Sequence, residues 1–183
     1  MAHTVHSTLV RVTHWINSLS FFALIVSGVA ILIAHPRLYW GETGSLGTLS
    51  LLDLPIPLTL GHSGWGRYLH FLAAWICVLN GALYAIAGLF TRHFGKYNVL
   101  QRGAYISVVF VLFPLMIATG LAMSPAITSV VPALVNVFGG QQSARTIHFF
   151  VAASLVLFFF GHIVMVSLAG LSDSVRAMIT GHA

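Results

Sequence analysis

The stretch Arg145-Thr-Ile-His148-Phe-Phe-Val-Ala-Ala-Ser-Leu-Val-Leu-Phe-Phe-Phe-Gly-His162-Ile-Val-Met-Val-Ser-Leu-Ala-Gly-Leu171 decides the fold. No Asp, Glu, Lys or Arg lies between Arg145 and Asp173, a longer run than the ~20 residues a helix needs to cross a bilayer. Lipid offers no water to unpaired backbone groups, so a span is a helix or part of a closed barrel. The run is continuous and not a ten-residue alternation, so it is a helix. Three more such runs precede it, and together they give spans at residues 12–34, 65–90, 102–123 and 145–171. The expectation is an all-α integral membrane four-helix bundle, a single domain over residues 1–183 with no internal repeat.

Composition agrees. Of 183 residues 58% are hydrophobic and only 6% charged, where soluble domains run near a quarter, so a water-soluble globule is excluded. A formal charge of +5 on so few ionised groups is no nucleic-acid footprint; it reads as topology signals and anion contacts. The first apolar run is too long for a signal-peptide core, lacks a small-x-small cleavage site, and reads as a retained helix. A short surface helix is expected around residues 128–137, between Pro125 and Gly139. Arg11, Arg92, Lys96, Arg102 and Arg176 flank one side of the spans; Arg37, Arg67 and Arg145 flank the other. The positive-inside rule then puts both termini and the 91–101 connection in the cytoplasm. The two longer loops face outward, into the periplasm of a bacterium whose inner membrane holds this multi-pass chain.

Ten histidines outnumber the eight Lys and Arg, and a histidine inside a membrane marks a functional site by default. His14 opens the first helix at its inner end, and His70 lies in the first turns of the second at its outer end. The fourth carries His148 near its outer start and His162 deeper. Fourteen residues are four turns less about 40°, so these two share a face about 21 Å apart. Depth therefore pairs His14 with His162 and His70 with His148. Facing imidazoles ligate haem iron axially, or bind zinc or copper. Sites of the second kind want three or four ligands, but no carboxylate lies inside a span and Cys77 is alone. Three of the four histidines follow an arginine by three: Arg11/His14, Arg67/His70 and Arg145/His148. At that spacing the pair shares a face with the arginine one turn nearer water, placed for a haem propionate or for plain interfacial snorkelling. Arg102 is a further candidate at the inner haem. Gly28, Gly81 and Gly120 lie mid-span and Gly161 adjoins His162, leaving room for a porphyrin.

These motifs, Arg11-Val-Thr-His14-Trp15, Gly66-Arg67-Tyr68-Leu69-His70 and His148 with His162, resemble the bacterial dihaem cytochrome b family. Its members are the b561-like membrane subunits of formate dehydrogenase, Ni-Fe hydrogenase and molybdopterin oxidoreductase complexes. The resemblance covers nearly the whole chain and implies two b haems on the four histidines. It also implies electron transfer between a periplasmic oxidoreductase subunit and the membrane quinone. Tyr97-Asn98-Val99-Leu100-Gln101-Arg102 is similar to the family's quinone-lining segment, which would make Asn98 and Gln101 amide donors to quinone oxygens. Read alone, the same stretch is a capped helix start. The loop beginning His35-Pro36-Arg37-Leu38-Tyr39-Trp40-Gly41-Glu42 is most similar to partners of periplasmic molybdopterin enzymes. The 91–101 connection is shorter than in many of that family. Two other functions use the same histidines: a transition-metal-binding transporter, and a haem-free anchor for a partner enzyme.

Overall fold

The computed structural model of the chain describes residues 6–44, 47–55, 64–91, 103–104 and 106–182. In order these form α1 (Thr8–Ala34), strands β1 (Arg37–Leu38) and β2 (Leu52–Asp53), and α2 (Gly64–Thr91). A π-helical turn, Val108–Leu112, then leads into α3 (Phe113–Ala122), followed by α4 (Pro125–Thr128), α5 (Ala133–Val137) and α6 (Gln141–Thr180). Among the described residues, α1, α2 and α6 are long and apolar enough to cross a membrane, and Val108–Ala122 is a shorter apolar helix. Leu19 on α1 is 70% exposed, and Leu157 and Leu168 on α6 are 74% and 81% exposed. Side chains of that kind held outward along whole helices have lipid as their solvent. The protein is an all-α membrane protein.

The chain divides into two compact units: Met1–Ala34, Leu58–Gly95 and Gly161–Ala183 in one, His35–Pro57 and Lys96–Phe160 in the other. In the first, α1 and α2 pack side by side. The seam is made of small residues. Thr13, Ser20 and Ser27 are the buried positions of α1, and Gly66, Ala73 and Asn80 those of α2, each series stepping by seven residues. Two turns per step keep one face on the partner, and small side chains let the backbones approach. Asn80 Nδ2 donates to the Thr13 carbonyl at 2.7 Å, and Ser27 Oγ meets His70 at the other end, so the helices run antiparallel. At the open end of this unit Arg11 and Trp15 donate to the last carbonyls of α6. The Arg11 guanidinium reaches Met178 and Ile179, and Trp15 Nε1 reaches Met178 at 3.1 Å. A cation on a helix C-terminus satisfies orphan carbonyls and suits the dipole.

In the second unit β1 and β2 pair antiparallel, Arg37 opposite Asp53, and their ion pair (3.1 Å) is exposed at both ends and adds little. What holds the loop is α6. The first four N–H groups of a helix have no partner inside it. Here the Gly41 carbonyl accepts from the Gln142 and Ser143 N–H groups, and Gly41 N–H donates to Ser143 Oγ at 2.7 Å. Thr146 Oγ1 donates to the Tyr39 carbonyl at 2.7 Å and Arg145 to the His35 carbonyl, over a buried Leu38. Gly140 must be glycine. Its φ is +117°, and a Cβ would stand 2.4 Å from the Gly41 carbonyl.

Departures from the expected spans have local causes. Helix α1 starts at Thr8, four residues early, because Ser7 Oγ accepts from the Val10 N–H. It stops at Ala34, one residue short of the position that Pro36 disfavours for helix. The single surface helix expected near 128–137 is two, α4 and α5, with Pro132 at the break. Pro114 lacks the N–H that would bond one turn back, and the helix widens into its π turn just before it. The apolar stretch of α6 ends where Gly170 takes φ 105°, ψ 88°, and the segment beyond carries Asp173 and Arg176.

Candidate functional site

The four histidines sit on three helices, and each is placed by its own neighbours. His70 is part-buried on α2 with Nδ1 3.0 Å from Ser27 Oγ on α1. That serine also lies 2.6 Å from the Ala23 carbonyl and 3.2 Å from the Leu24 carbonyl. A carbonyl has no hydrogen to give, so the one hydroxyl hydrogen points to the main chain and the hydroxyl oxygen accepts from Nδ1. His70 is thereby the Nδ1–H tautomer, with its lone pair on Nε2. The Leu24 carbonyl also lies within hydrogen-bonding reach of the ring.

His148, in the other unit, repeats the construction. Its Nδ1 is 2.9 Å from Thr119 Oγ1 on α3, and that hydroxyl is 2.8 Å from the Leu115 carbonyl and 3.1 Å from that of Met116. The same reasoning puts the proton on Nδ1 and the lone pair on Nε2. Each hydroxyl residue is followed by a glycine on which the ring lies. A Cβ on Gly28 would stand 3.7 Å from His70 Cε1, and one on Gly120 3.5 Å from His148 Cε1. These two of the four expected glycines thus support imidazoles. Among the described residues a Cβ on Gly81 or Gly161 would meet nothing within 4 Å.

His14 and His162 share the first unit and lie within electrostatic range of each other, with His6 nearby. The His14 ring stands edge-on to Trp15, centroids 5.5 Å apart. No hydrogen bond joins either ring to another described residue, so this pair lacks the hydroxyl backing of the others. One turn past His14, Asn17 Oδ1 is buried without a partner, an acceptor that sequence reasoning passed over. Of the three arginines, Arg11 and Arg145 each use part of their five donors on main-chain carbonyls, and Arg67 is exposed. Asn98, Gln101 and Arg102 lie outside the described residues.

The donor set fits haem. A b-type iron takes two neutral imidazole nitrogens in an apolar slot, and the site offers imidazoles whose second nitrogen is already committed. Among the described residues no three His, Cys, Asp or Glu side chains converge as a divalent transition metal prefers. Ser27 and Thr119 are what the sequence reading missed. Their signal is a hydroxyl residue directly before a mid-span glycine.

The family follows from comparison with known proteins. The chain belongs to the prokaryotic cytochrome b561 family, whose model matches residues 5–181. It is 28% identical, over 98% of its own length and 98% of the relative's, to the putative protein-methionine-sulfoxide reductase subunit YedZ1 of Azospira oryzae. No solved structure matches it. Membership makes it a haem-b-binding, multi-pass membrane protein of electron transfer.

Proposed function

We propose that the chain carries electrons across a bacterial inner membrane between a periplasmic oxidoreductase partner and the quinone pool. Two b haems serve it, one held by His14 and His162, the other by His70 and His148. The observation that carries the reading is the matched backing of His70 and His148, each with Nδ1 at hydrogen-bond distance from a buried hydroxyl. Each has Nδ1–H committed to a hydroxyl that is itself committed to a carbonyl, which leaves Nε2 as the ligating atom. The nearness of His14 to His162 supports the second pair.

A bound b haem supplies a one-electron carrier at a potential the protein tunes. The rest falls to the chain's own residues. The histidines fix where each iron would sit, and the lipid-facing leucines and phenylalanines exclude water. Arg67 and Arg145 at one side and Arg11 at the other offer guanidinium N–H groups to carboxylates, and Arg11 and Arg145 keep donors to spare beyond the carbonyls they already hold. Asn98 and Gln101, with Arg102 beside them, donate to quinone oxygens at the cytoplasmic side. The YedZ1 relative is named as a subunit of a reductase, and a reductase must be fed. Electrons accordingly run outward from quinol to a periplasmic partner, of the molybdopterin-dependent kind that the outer loop suggests. Outward movement of an electron follows the membrane potential, at ~2.3 kcal/mol per charge per 100 mV for a full crossing.

The test is the reduced-minus-oxidised visible spectrum and haem count of the full-length protein in detergent. Two haems per chain are expected, with His162→Ala removing one and His70→Ala the other, so that the two losses have different spectra. A haem-free chain, or an unchanged count in both variants, overturns the proposal. A colourless metal-loaded sample would indicate a transporter, and a colourless metal-free one an anchor.

A further inference from the structure

We infer that Ser27 and Thr119 are positioning residues that would set how strongly His70 and His148 donate to a bound haem iron, each through a hydroxyl held on the ring's Nδ1. The inference rests on the function proposed above and goes further, because it says which iron is tuned, by what atoms, and in which direction.

The geometry is built twice from unrelated pieces. Ser27-Gly28 on α1 backs His70, and Thr119-Gly120 on α3 backs His148, at 3.0 and 2.9 Å. Both hydroxyl residues are fully buried, at 0% exposure. Ser18, Ser154 and Ser167 bond the carbonyl one turn back and stop there, at exposed positions. Self-satisfaction of that kind is the ordinary fate of a serine in a membrane helix. Ser27 and Thr119 make the same bond and then present the remaining lone pair to an imidazole. Satisfying the helix needs only the first contact. The second contact belongs to the ring.

An acceptor on Nδ1–H gives the imidazole more imidazolate character, so Nε2 donates more strongly to iron. Stronger donation favours ferric over ferrous iron and lowers the potential. His14 and His162 have no such acceptor among the described residues, so the effect falls on one haem of the two. Under the proposed pairing of His70 with His148, both hydroxyls would act on the same centre although they come from different helices.

The experiment is an optical redox titration of full-length Ser27→Ala, Thr119→Val and the double variant, alongside Ser27→Thr and Thr119→Ser. The expected result is a positive shift of the same haem's midpoint in both single variants, larger in the double, with the other haem unmoved. Loss of the hydrogen-bond partner behind a metal-ligating imidazole typically costs about 10–100-fold in affinity, so ferric haem should leave that site at least about ten times faster when challenged with apomyoglobin. The hydroxyl-retaining variants should hold wild-type midpoints, which separates the hydroxyl from packing. Unchanged midpoints and haem-loss rates in both single variants, in a protein that still carries two haems, overturn the inference and leave the function standing. Shifts on two different haems would keep the hydroxyl role and overturn the pairing of His70 with His148. A wild-type chain without haem removes the function itself.

Discussion

Gly140→Ala attacks the clamp between the outer loop and α6, and its cost can be worked from the coordinates. The first contribution is backbone. At φ +117° an L side chain sits in a region almost reserved for glycine, at about 1–3 kcal/mol. The second is collision. The new methyl would stand 2.4 Å from the Gly41 carbonyl carbon and oxygen and 2.6 Å from the Glu42 nitrogen, where ordinary contact begins at 3.4 Å. All three atoms are backbone, so no side chain can swing aside. Gly41 has to retreat by about 1 Å, the difference between those two distances. That retreat breaks its carbonyl's bonds to the Gln142 and Ser143 N–H groups (3.0 and 3.3 Å) and its own N–H bond to Ser143 Oγ (2.7 Å). At about 0.5–1.5 kcal/mol each, these bring the total to about 2.5–7.5 kcal/mol.

A penalty of that size is a large share of a protein's whole stability, and the cheapest escape is for the 35–55 loop to let go while the helices stay. The assay is tryptic cleavage after Arg37 in the full-length protein reconstituted in liposomes, where the docked loop of the wild type resists. Gly140→Ala should be cut at least about sixtyfold faster, the tenfold-per-1.4 kcal/mol conversion of the low end of the penalty. Gly139→Ala is the control. Its φ is +73° and its Cβ would come no nearer than 3.9 Å, to the tip of Ser143, so only about 1–2 kcal/mol of strain applies and cleavage should rise far less. Equal cleavage of both variants and the wild type would refute the clamp.

Two further outcomes follow from the seam and the arginines. Asn80→Leu removes the bond to the Thr13 carbonyl, worth about 0.6 kcal/mol on average and up to ~1.7 between membrane helices, and should lower the thermal midpoint of helix loss by circular dichroism; an unchanged midpoint would mean that the seam is held by packing alone. Arg67→Gln deletes a cation that the proposed arrangement sets beside the haem of His70, and its loss disfavours the reduced iron with its extra electron, so that midpoint should fall where hydroxyl removal raises it; an unmoved midpoint would make Arg67 an interfacial snorkeller.

The spans and the histidines were legible because lipid makes both conspicuous. A charge-free run the length of residues 145–171 has few readings, and an imidazole inside it stands out against hydrocarbon. The buried faces were not legible by the same route. In a soluble helix the apolar stripe marks the core, but here lipid is as apolar as the interior, and hydrophobic periodicity carries almost no information. Size carries it instead: Thr13, Ser20 and Ser27 against Gly66, Ala73 and Asn80 step by seven in the bare sequence, among bulkier neighbours. Ser27 and Thr119 were invisible as ligand partners for a related reason. Every serine or threonine in a membrane helix can satisfy itself on its own backbone, so only the arrival of a ring from another helix tells these two from Ser18 or Ser167. Arg11 and Arg145 were read as anion contacts from their spacing to His14 and His148. Their bonds to main-chain carbonyls show a second task that spacing could not reveal.

Two rulers bear on the haem pairing, and each is internal to one helix. On α1, His14 and Ser27 are thirteen residues apart, about 20 Å of rise, and Ser27 holds the ring of His70. On α6, His148 and His162 are fourteen residues apart, about 21 Å. Two irons shared between these ligands require the rulers to agree, since His14 and His162 would mark one depth and the other two rings the second. They agree to about one residue's rise. Composition cannot produce that match, because any apolar residue at any position would still make a membrane helix. The α1–α2 seam can produce it, because the small-residue register that sets Thr13 against Asn80 also sets Ser27 against His70, and sliding that register by one heptad would move the ring by about 10 Å. Close packing of α1 on α2 therefore fixes the depth of His70 relative to His14, which is the spacing the proposed pair of haems would need.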